Sequence, residues 1–169
     1  MMLLDSDPND QFSGMTPLLK TLALAAALLP LGPYDIKLLN TPNTPGAQGT
    51  ARLVFAPSPF GVTVTADGRS SYDVQLSLTG LPDPATLGPY TTYVAWAATT
   101  DLKQWHRLGV VTNGNSSVGK VEFNKFLLVI TAEASATPTE KKGPTALHGI
   151  SPSGFLQSMI THPLFRGVQ

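Results

Sequence analysis

The chain has 169 residues, enough for one domain of ordinary size and an appendage. Only 13% of its residues are charged and the formal net charge is zero, which leaves no electrostatic footprint for nucleic acid. The chain contains no cysteine, and this excludes disulfide scaffolds, thiolate zinc sites and thiol catalysis.

The N-terminal region combines a polar tail with an apolar run. Residues 1–14 are polar and acidic, and residues 15–31 carry the run, with Thr16 and Pro17 as helix-start signals and Pro30 as its end. The run resembles the hydrophobic part of an export signal, but three aspartates precede it where a signal needs positive charge. It is also shorter than the roughly 20 apolar residues of a comfortable membrane span. We therefore predict a signal-like or anchor helix, retained either in the membrane or against partner proteins.

Residues 34–135 have the alternating pattern of short strands separated by Gly, Pro and Asn-Gly. About eight strands at regular spacing predict a mainly β domain, an antiparallel immunoglobulin-like β-sandwich. Asn113-Gly114 is the strongest hairpin signal, and Asp67-Gly68 is a second one. Trp96 fits the two-residue alternation of its predicted strand and is predicted to lie in the core. The predicted strands cover residues 34–38, 51–55, 60–65, 72–78, 92–98, 105–111, 117–123 and 126–132, the last as a central strand covered on both faces.

The C-terminal region is predicted to be a Pro-rich linker over 136–150 followed by a docking helix and tail over 151–169. Ser151 and Pro152 favour the start of a short helix. One apolar stripe at helical spacing follows, formed by Phe155, Leu156, Met159 and Ile160. A sandwich closes its core with its own two sheets, so we expect this stripe to bind a neighbour or to cap the open end of the domain.

Part of the chain resembles a known family of exported domains. The segments Leu78-Thr79-Gly80-Leu81-Pro82, Tyr90 to Trp96 and Leu108-Gly109 are similar to the periplasmic β-sandwich of anti-sigma-K-type proteins. The resemblance covers residues 70–125 and implies a fold, but not the regulatory role, because the family's cytosolic sigma-binding domain has no counterpart here. The chain also resembles, more broadly, exported accessory subunits of bacterial photosynthetic reaction centre–light-harvesting complexes.

Candidate chemistry is sparse. Met159 and His162 are spaced to share a helix face, as a copper or haem pair would be, but such sites recruit more ligands than two. Asp101 and His106 would need a serine for a hydrolytic triad, and the sequence has no Gly-x-Ser-x-Gly elbow. The glycines between 109 and 119 lie in a predicted hairpin and not before a helix, so no phosphate cradle is predicted. We predict no metal, no cofactor and no catalytic residue.

The aromatic residues supply one surface candidate. Trp105 lies beside Lys103 and Arg107 in a predicted turn, where it is available to a partner or a membrane interface. The predicted partner-binding residues are Leu22, Leu24, Leu28, Trp105, Phe155, Leu156, Met159 and Ile160.

The leading hypothesis is a non-catalytic structural subunit that docks a periplasmic β-sandwich onto a bacterial membrane complex, with a photosynthetic reaction centre–light-harvesting complex as the most specific partner. Its two apolar segments outside the sandwich carry this hypothesis, because they have no core of their own to cover them. The alternatives are a periplasmic metal-binding or redox accessory domain that uses His and Met, and a ligand-binding module with its site among the loops.

Overall fold

The computed structural model describes residues 32–55 and 71–152. Within these ranges the chain is mainly antiparallel β, with eight strands and one short 3-10 helix, Pro84–Leu87. The strands are β1 (Asp35–Asn40), β2 (Gln48–Phe55), β3 (Tyr72–Thr79), β4 (Thr92–Thr99), β5 (Trp105–Val111), β6 (Gly114–Val121), β7 (Phe126–Glu133) and β8 (Thr145–Ile150). The predicted N-terminal helix, the strand over 60–65, the Asp67-Gly68 hairpin and the C-terminal helix lie outside the described residues.

The eight strands form one nearly closed sheet in the order β5-β4-β7-β8-β1-β2-β3-β6. The strand β1 joins its two halves: it pairs with β2 through Asp35 to Leu38 and with β8 only through Leu39 and Asn40. The two end strands, β5 and β6, are consecutive in the chain and pack beside each other. The sheet therefore encloses a single apolar interior.

The interior is built by the alternation that the sequence predicts. Ile36 and Leu38 of β1 point inward, and so do Tyr93, Ala95 and Ala97 of β4. The strands β4 and β7 are also buried on their outer face, which explains the continuous apolar run in β7. Trp96 lies on this second face and is 1% exposed, so its predicted burial is confirmed, although it is not part of the interior core.

The Asn113-Gly114 signal does not produce the predicted hairpin. Among the described strands, β5 pairs with β4 and β6 pairs with β3, so the turn carries the chain from one half of the sheet to the other. The Asn113 side chain instead binds the backbone of Leu81: its Oδ1 accepts from Leu81 N at 3.0 Å, and its Nδ2 donates to Leu81 O at 2.8 Å. Pairing of β5 with β4 and of β6 with β3 has therefore overridden the local preference of Asn113-Gly114 for a hairpin.

The strand β8 lies inside the range 136–150, which the sequence assigns to a linker. It fills the place between β7 and β1 and pairs with both. Gly149 hides this strand from pattern analysis, since an interior glycine weakens a strand signal. The structure requires it there, because a Cβ at this position would lie 2.6 Å from the carbonyl oxygen of Lys37.

Candidate partner-binding surface

Of the predicted partner-binding residues, the structure describes Trp105. The apolar residues of the N-terminal run (Leu22, Leu24 and Leu28) and of the C-terminal stripe (Phe155, Leu156, Met159 and Ile160) lie outside the described ranges. Whether these two sets meet a partner stays a prediction.

Trp105 begins β5 and is half-buried on the outer face of the sheet. Its ring packs edge-to-face on Trp96, with centroids 6.5 Å apart and an interplanar angle of 81°. Its indole N–H donates to the carbonyl oxygen of Leu102 at 3.0 Å. The polar end of Trp105 is therefore satisfied inside the domain, and what remains for a partner is the apolar surface of the ring.

The turn between β4 and β5 presents Leu102 beside Trp105. Leu102 has a φ of 60° and is 52% exposed. Its N–H donates to the carbonyl oxygen of Thr99 at 2.8 Å, and the N–H of Thr99 donates to the carbonyl oxygen of Gln104 at 3.0 Å. A β-carbon makes positive φ unfavourable, and for this reason glycine and asparagine usually occupy such positions. The domain thus holds an exposed leucine in a backbone conformation that leucine disfavours.

Asp101 organises the same turn. Its Oδ1 accepts hydrogen bonds from Thr99 Oγ1 at 2.6 Å and from the N–H of Lys103 at 3.2 Å. These two hydrogen bonds hold the pKa of Asp101 below its usual value, and the bond from Thr99 has the larger effect. The Lys103 ammonium lies 3.6 Å from Asp101 Oδ2, but both groups are well exposed, so this ion pair contributes little. The hydrogen bonds to Asp101 therefore add to the backbone hydrogen bonds that fix the turn.

A groove of about 320 Å³ lies next to this turn. Residues of the β4–β5 turn form one wall, and residues 123–125, between β6 and β7, form the other. Its lining is polar apart from Phe123, with Lys103 and Lys125 as its cations and Asp101 as its anion. The edge of the domain that carries Leu102 and Trp105 therefore offers apolar side chains beside a polar recess.

A buried hydrogen-bond network supports Trp105 from below. Trp96 Nε1 donates to Thr131 Oγ1 at 2.9 Å, and the Thr131 hydroxyl donates to Glu133 Oε1 at 2.6 Å. Both oxygens of the Glu133 carboxyl group also accept from the N–H of Gly143, at 3.3 Å. Arg107 donates to the carbonyl oxygen of Ala136 at 3.4 Å, which ties the connection between β7 and β8 to β5. These buried hydrogen bonds thus fix the position of Trp96, on which the Trp105 ring packs.

A second groove lies on the outer face of the β1–β2–β3–β6 half. Its volume is about 440 Å³, and Thr50, Gln75 and Ser77 contribute to a polar lining. The charged groups in it are Arg52 and Asp35, which already bind each other at 2.9 Å. The recess is larger than the one beside Leu102, but its charges are satisfied and its strands are regular.

The structure does not bring the candidate metal and catalytic residues together in the part of the chain it describes. His106 lies on β5 and His148 on β8, both exposed, and His162 falls outside the described residues. In residues 32–55 and 71–152 there is no cluster of three His, Asp or Glu side chains placed to hold a metal ion. The same ranges contain no helix with the length and apolar character to cross a bilayer.

Comparisons with protein-family models, with curated proteins and with solved structures give no significant match for this chain. The residues of the site itself therefore carry the functional argument.

Sequence reasoning found Trp105 but missed Leu102. A leucine in a polar turn gives no signal of its backbone conformation, and its neighbours, Asp101 and Lys103, are typical of any exposed turn. The one available clue was the pair Thr99 and Asp101, because such side chains often bind nearby backbone N–H groups.

Proposed function

We propose that this chain is a non-catalytic accessory subunit that docks onto a protein partner through the tip of the β4–β5 turn, formed by Leu102 and Trp105. The observation that carries the proposal is the exposed leucine at positive φ. That conformation costs about 1–2 kcal/mol for a residue with a β-carbon, and about half of the leucine side chain still makes no contact that could offset this cost in the free domain. Strain of this kind clusters at functional sites, which supports a role in binding for this turn.

The turn is well suited to binding because it is already ordered. The Thr99 hydroxyl oxygen accepts from the N–H of Gln104 and the Asp101 carboxylate accepts from the N–H of Lys103, so the backbone is fixed and association orders few additional groups. Full burial of a leucine contributes about 1.5–3 kcal/mol, and about half of that is still available at Leu102. Trp105 adds an aromatic surface with its N–H already paired, so its burial leaves no unsatisfied donor.

The partner that the sequence favours is a bacterial membrane complex on the periplasmic side, with a photosynthetic reaction centre–light-harvesting complex as its most specific form. In this proposal the domain is an immunoglobulin-like β-sandwich, and the N-terminal apolar helix over 15–31 anchors it. The short C-terminal helix completes the architecture. Exposed apolar side chains on a chain with no net charge favour association by burial over electrostatic steering.

The test is Leu102→Asn in the full chain, purified from its native membranes in mild detergent. Asparagine adopts positive φ readily, so the thermal midpoint should stay the same or rise. Binding of the membrane partner should weaken at least about tenfold, which corresponds to 1.4 kcal/mol. Val110→Asn is the matched control, since Val110 is similarly exposed, 41%, in a regular strand. Copurification unchanged by Leu102→Asn, or lost equally in the control, refutes this docking site.

Metal analysis separates this proposal from the metal-binding or redox alternative. We expect His106→Ala, His148→Ala and His162→Ala together to leave both assembly and metal content unchanged. Stoichiometric copper or iron in the wild-type protein, lost in the triple variant, would replace the structural proposal with the redox one.

A further inference from the structure

A second apolar surface lies on the same outer face and borders the first, because Trp105, Ala98, Leu127 and Ile150 follow one another across β5, β4, β7 and β8. Leu39 of β1 is 50% exposed, Ile150 of β8 is 54% exposed, and Leu127 of β7 is half-buried. We call these three residues the β1–β8–β7 patch. They belong to three adjacent strands, so their side chains form one continuous strip and not isolated exposures.

The strand register places the three side chains next to one another. Leu127 lies directly opposite Ile150 in the β7–β8 ladder. Leu39 lies opposite His148 in the β1–β8 ladder, and His148 is two residues before Ile150, on the same face. Diagonal neighbours of this kind are about 7–8 Å apart between Cα atoms, within reach of leucine and isoleucine side chains. Val129, 6% exposed, lies opposite His148 and continues the strip inward.

The chain leaves the sheet at the edge of this patch. Ser151, which follows Ile150, is 4% exposed and is tied to Phe126 by two hydrogen bonds. Its N–H donates to the carbonyl oxygen of Phe126 at 2.9 Å, and its hydroxyl oxygen accepts from the N–H of Phe126 at 2.9 Å. The position of the chain is therefore fixed as far as residue 151, beside Leu127 and Ile150.

The sequence that follows carries the apolar stripe of Phe155, Leu156, Met159 and Ile160. Phe155 is four residue steps after Ser151, and a chain extends at most about 3.6 Å per step, so Phe155 must lie within about 14 Å of the exit point. A segment tethered this closely meets the patch at a high effective concentration, which any partner in solution must exceed. The stripe is apolar throughout, and the patch is aliphatic apart from the exposed His148, which lies between Leu39 and Val129.

From this juxtaposition we propose that the C-terminal stripe, Phe155 to Ile160, folds back and packs on the β1–β8–β7 patch of its own chain. The strip between Leu39 and Leu127 is then covered by the chain itself. The contact locks the exit of β8 against β7 and β1. Leu102, on the turn beyond the end of β4, stays free for a partner, and so does Trp105, which Ala98 separates from Leu127.

Disulfide trapping tests the proposal directly, because the full chain has no cysteine of its own. Leu39→Cys is combined in turn with a cysteine at 155, 156, 159 or 160, and each pair is equilibrated in a glutathione buffer. A disulfide forms only when the two Cα atoms approach to about 4.4–6.8 Å. We expect at least one pair to form an intramolecular disulfide at least tenfold more readily than the matched control, in which Val54→Cys replaces Leu39→Cys. Val54 is 37% exposed and lies on β2, in the other half of the sheet.

The other possible occupants of the patch are named outcomes that overturn the proposal. Preferential intermolecular disulfides through Leu39→Cys mean that a second copy covers the patch. Preferential pairing of Leu39→Cys with Leu24→Cys means that the N-terminal run covers it. No pair above the Val54 control means that the stripe lies elsewhere.

A double-variant cycle gives a second, independent requirement. Ile150→Asp and Phe155→Asp are each introduced into the full chain, alone and together, and thermal unfolding is followed by circular dichroism. Packed side chains give non-additive effects, so the double variant should lower the midpoint by no more than the worse single variant. Additive losses overturn the proposal even if a disulfide forms. Partner binding through Leu102 should be unchanged in the Phe155→Asp chain, so this test and the test of the docking site fail separately.

Discussion

Thr131 is the centre of the buried network under the tryptophan pair, and Thr131→Val tests how much that network stabilises the domain. Valine has nearly the shape of threonine, so the substitution leaves no cavity and removes only the hydroxyl group. That hydroxyl accepts from Trp96 Nε1 and donates to Glu133 Oε1. Trp96, Thr131 and Glu133 are all at most 2% exposed, so water does not replace the lost partner without a rearrangement.

The magnitude follows from the groups left without partners. A buried donor such as the Trp96 N–H costs about 1–3 kcal/mol when it is unsatisfied. The lost bond to the Glu133 carboxyl group adds about 1–2 kcal/mol, although that group keeps its bonds from the backbone N–H of Gly143. We therefore expect a loss of about 2–5 kcal/mol in the free energy of unfolding. A domain of this size has only about 5–15 kcal/mol in total.

The assay is urea unfolding of the full chain, followed by circular dichroism, with Thr131→Ser as the matched control. Serine keeps the hydroxyl and loses one methyl group, so it should cost only about 1 kcal/mol. In thermal unfolding, Thr131→Val should lower the midpoint by about 5–15 °C, at 2–4 °C per kcal/mol. A loss below 1 kcal/mol for Thr131→Val, or an equal loss for Thr131→Ser, refutes the argument that this hydroxyl bridges two otherwise unsatisfied groups.

Three further predictions concern the backbone, acid stability and the N-terminal segment. Gly143→Ala should lower the free energy of unfolding in urea by more than about 4 kcal/mol, because the added Cβ would lie 1.5 Å from a carbonyl oxygen of β7. The control Gly46→Ala has open space around the added Cβ, so its free energy of unfolding should stay within about 0.5 kcal/mol of wild type. The pKa of Asp35 is lowered in the folded domain, chiefly by the side-chain hydrogen bond from Arg52. The ionised Asp35 therefore stabilises the folded state fully above its unfolded pKa, near 3.9, and this contribution is lost as the pH falls through the lower folded pKa. Arg52→Gln should therefore flatten the decline in unfolding free energy between pH 5 and pH 2, and an unchanged slope would contradict this linkage. Deletion of residues 1–31 should leave a soluble domain that unfolds cooperatively in urea, and loss of a cooperative transition would show that the apolar run belongs to the core.

Several strands were predictable because their residues either alternate between apolar and polar, as in β2 and β3, or form a largely apolar run, as in β4 and β7. The strands β2, β3, β4 and β7 lie where the pattern places them, within a few residues at each end. The run from Phe126 to Ala132 also identified a strand that is buried on both faces apart from the half-buried Leu127. Each of these inferences depends only on which neighbouring side chains of one strand are apolar.

The failures have a different physical cause. Asn113-Gly114 has the composition of a tight hairpin, but β5 and β6 find better partners in β4 and β3, and only the complete ladder decides that competition. The strand β8 carries a glycine where β1 approaches closely, and that approach is a property of two distant segments. Close contacts between remote parts of a chain leave no local pattern to detect.

For the candidate site too, some features were predictable from the sequence and others were visible only in the structure. Composition already excluded thiol chemistry and disulfides, and the apolar character of Trp105 in a polar neighbourhood was visible in the amino-acid sequence. The positive φ of Leu102, the hydrogen bond that removes the Trp105 N–H from the surface, and the joining of Leu39, Leu127 and Ile150 into one strip came only from the folded chain. Alternation and composition are properties of neighbours along the chain, and they fix which residues are buried. The backbone conformation of Leu102 is fixed by hydrogen bonds that form within the folded β4–β5 turn. The continuity of the apolar strip depends on segments more than 100 residues apart in sequence, and long-range strand pairing brings these together.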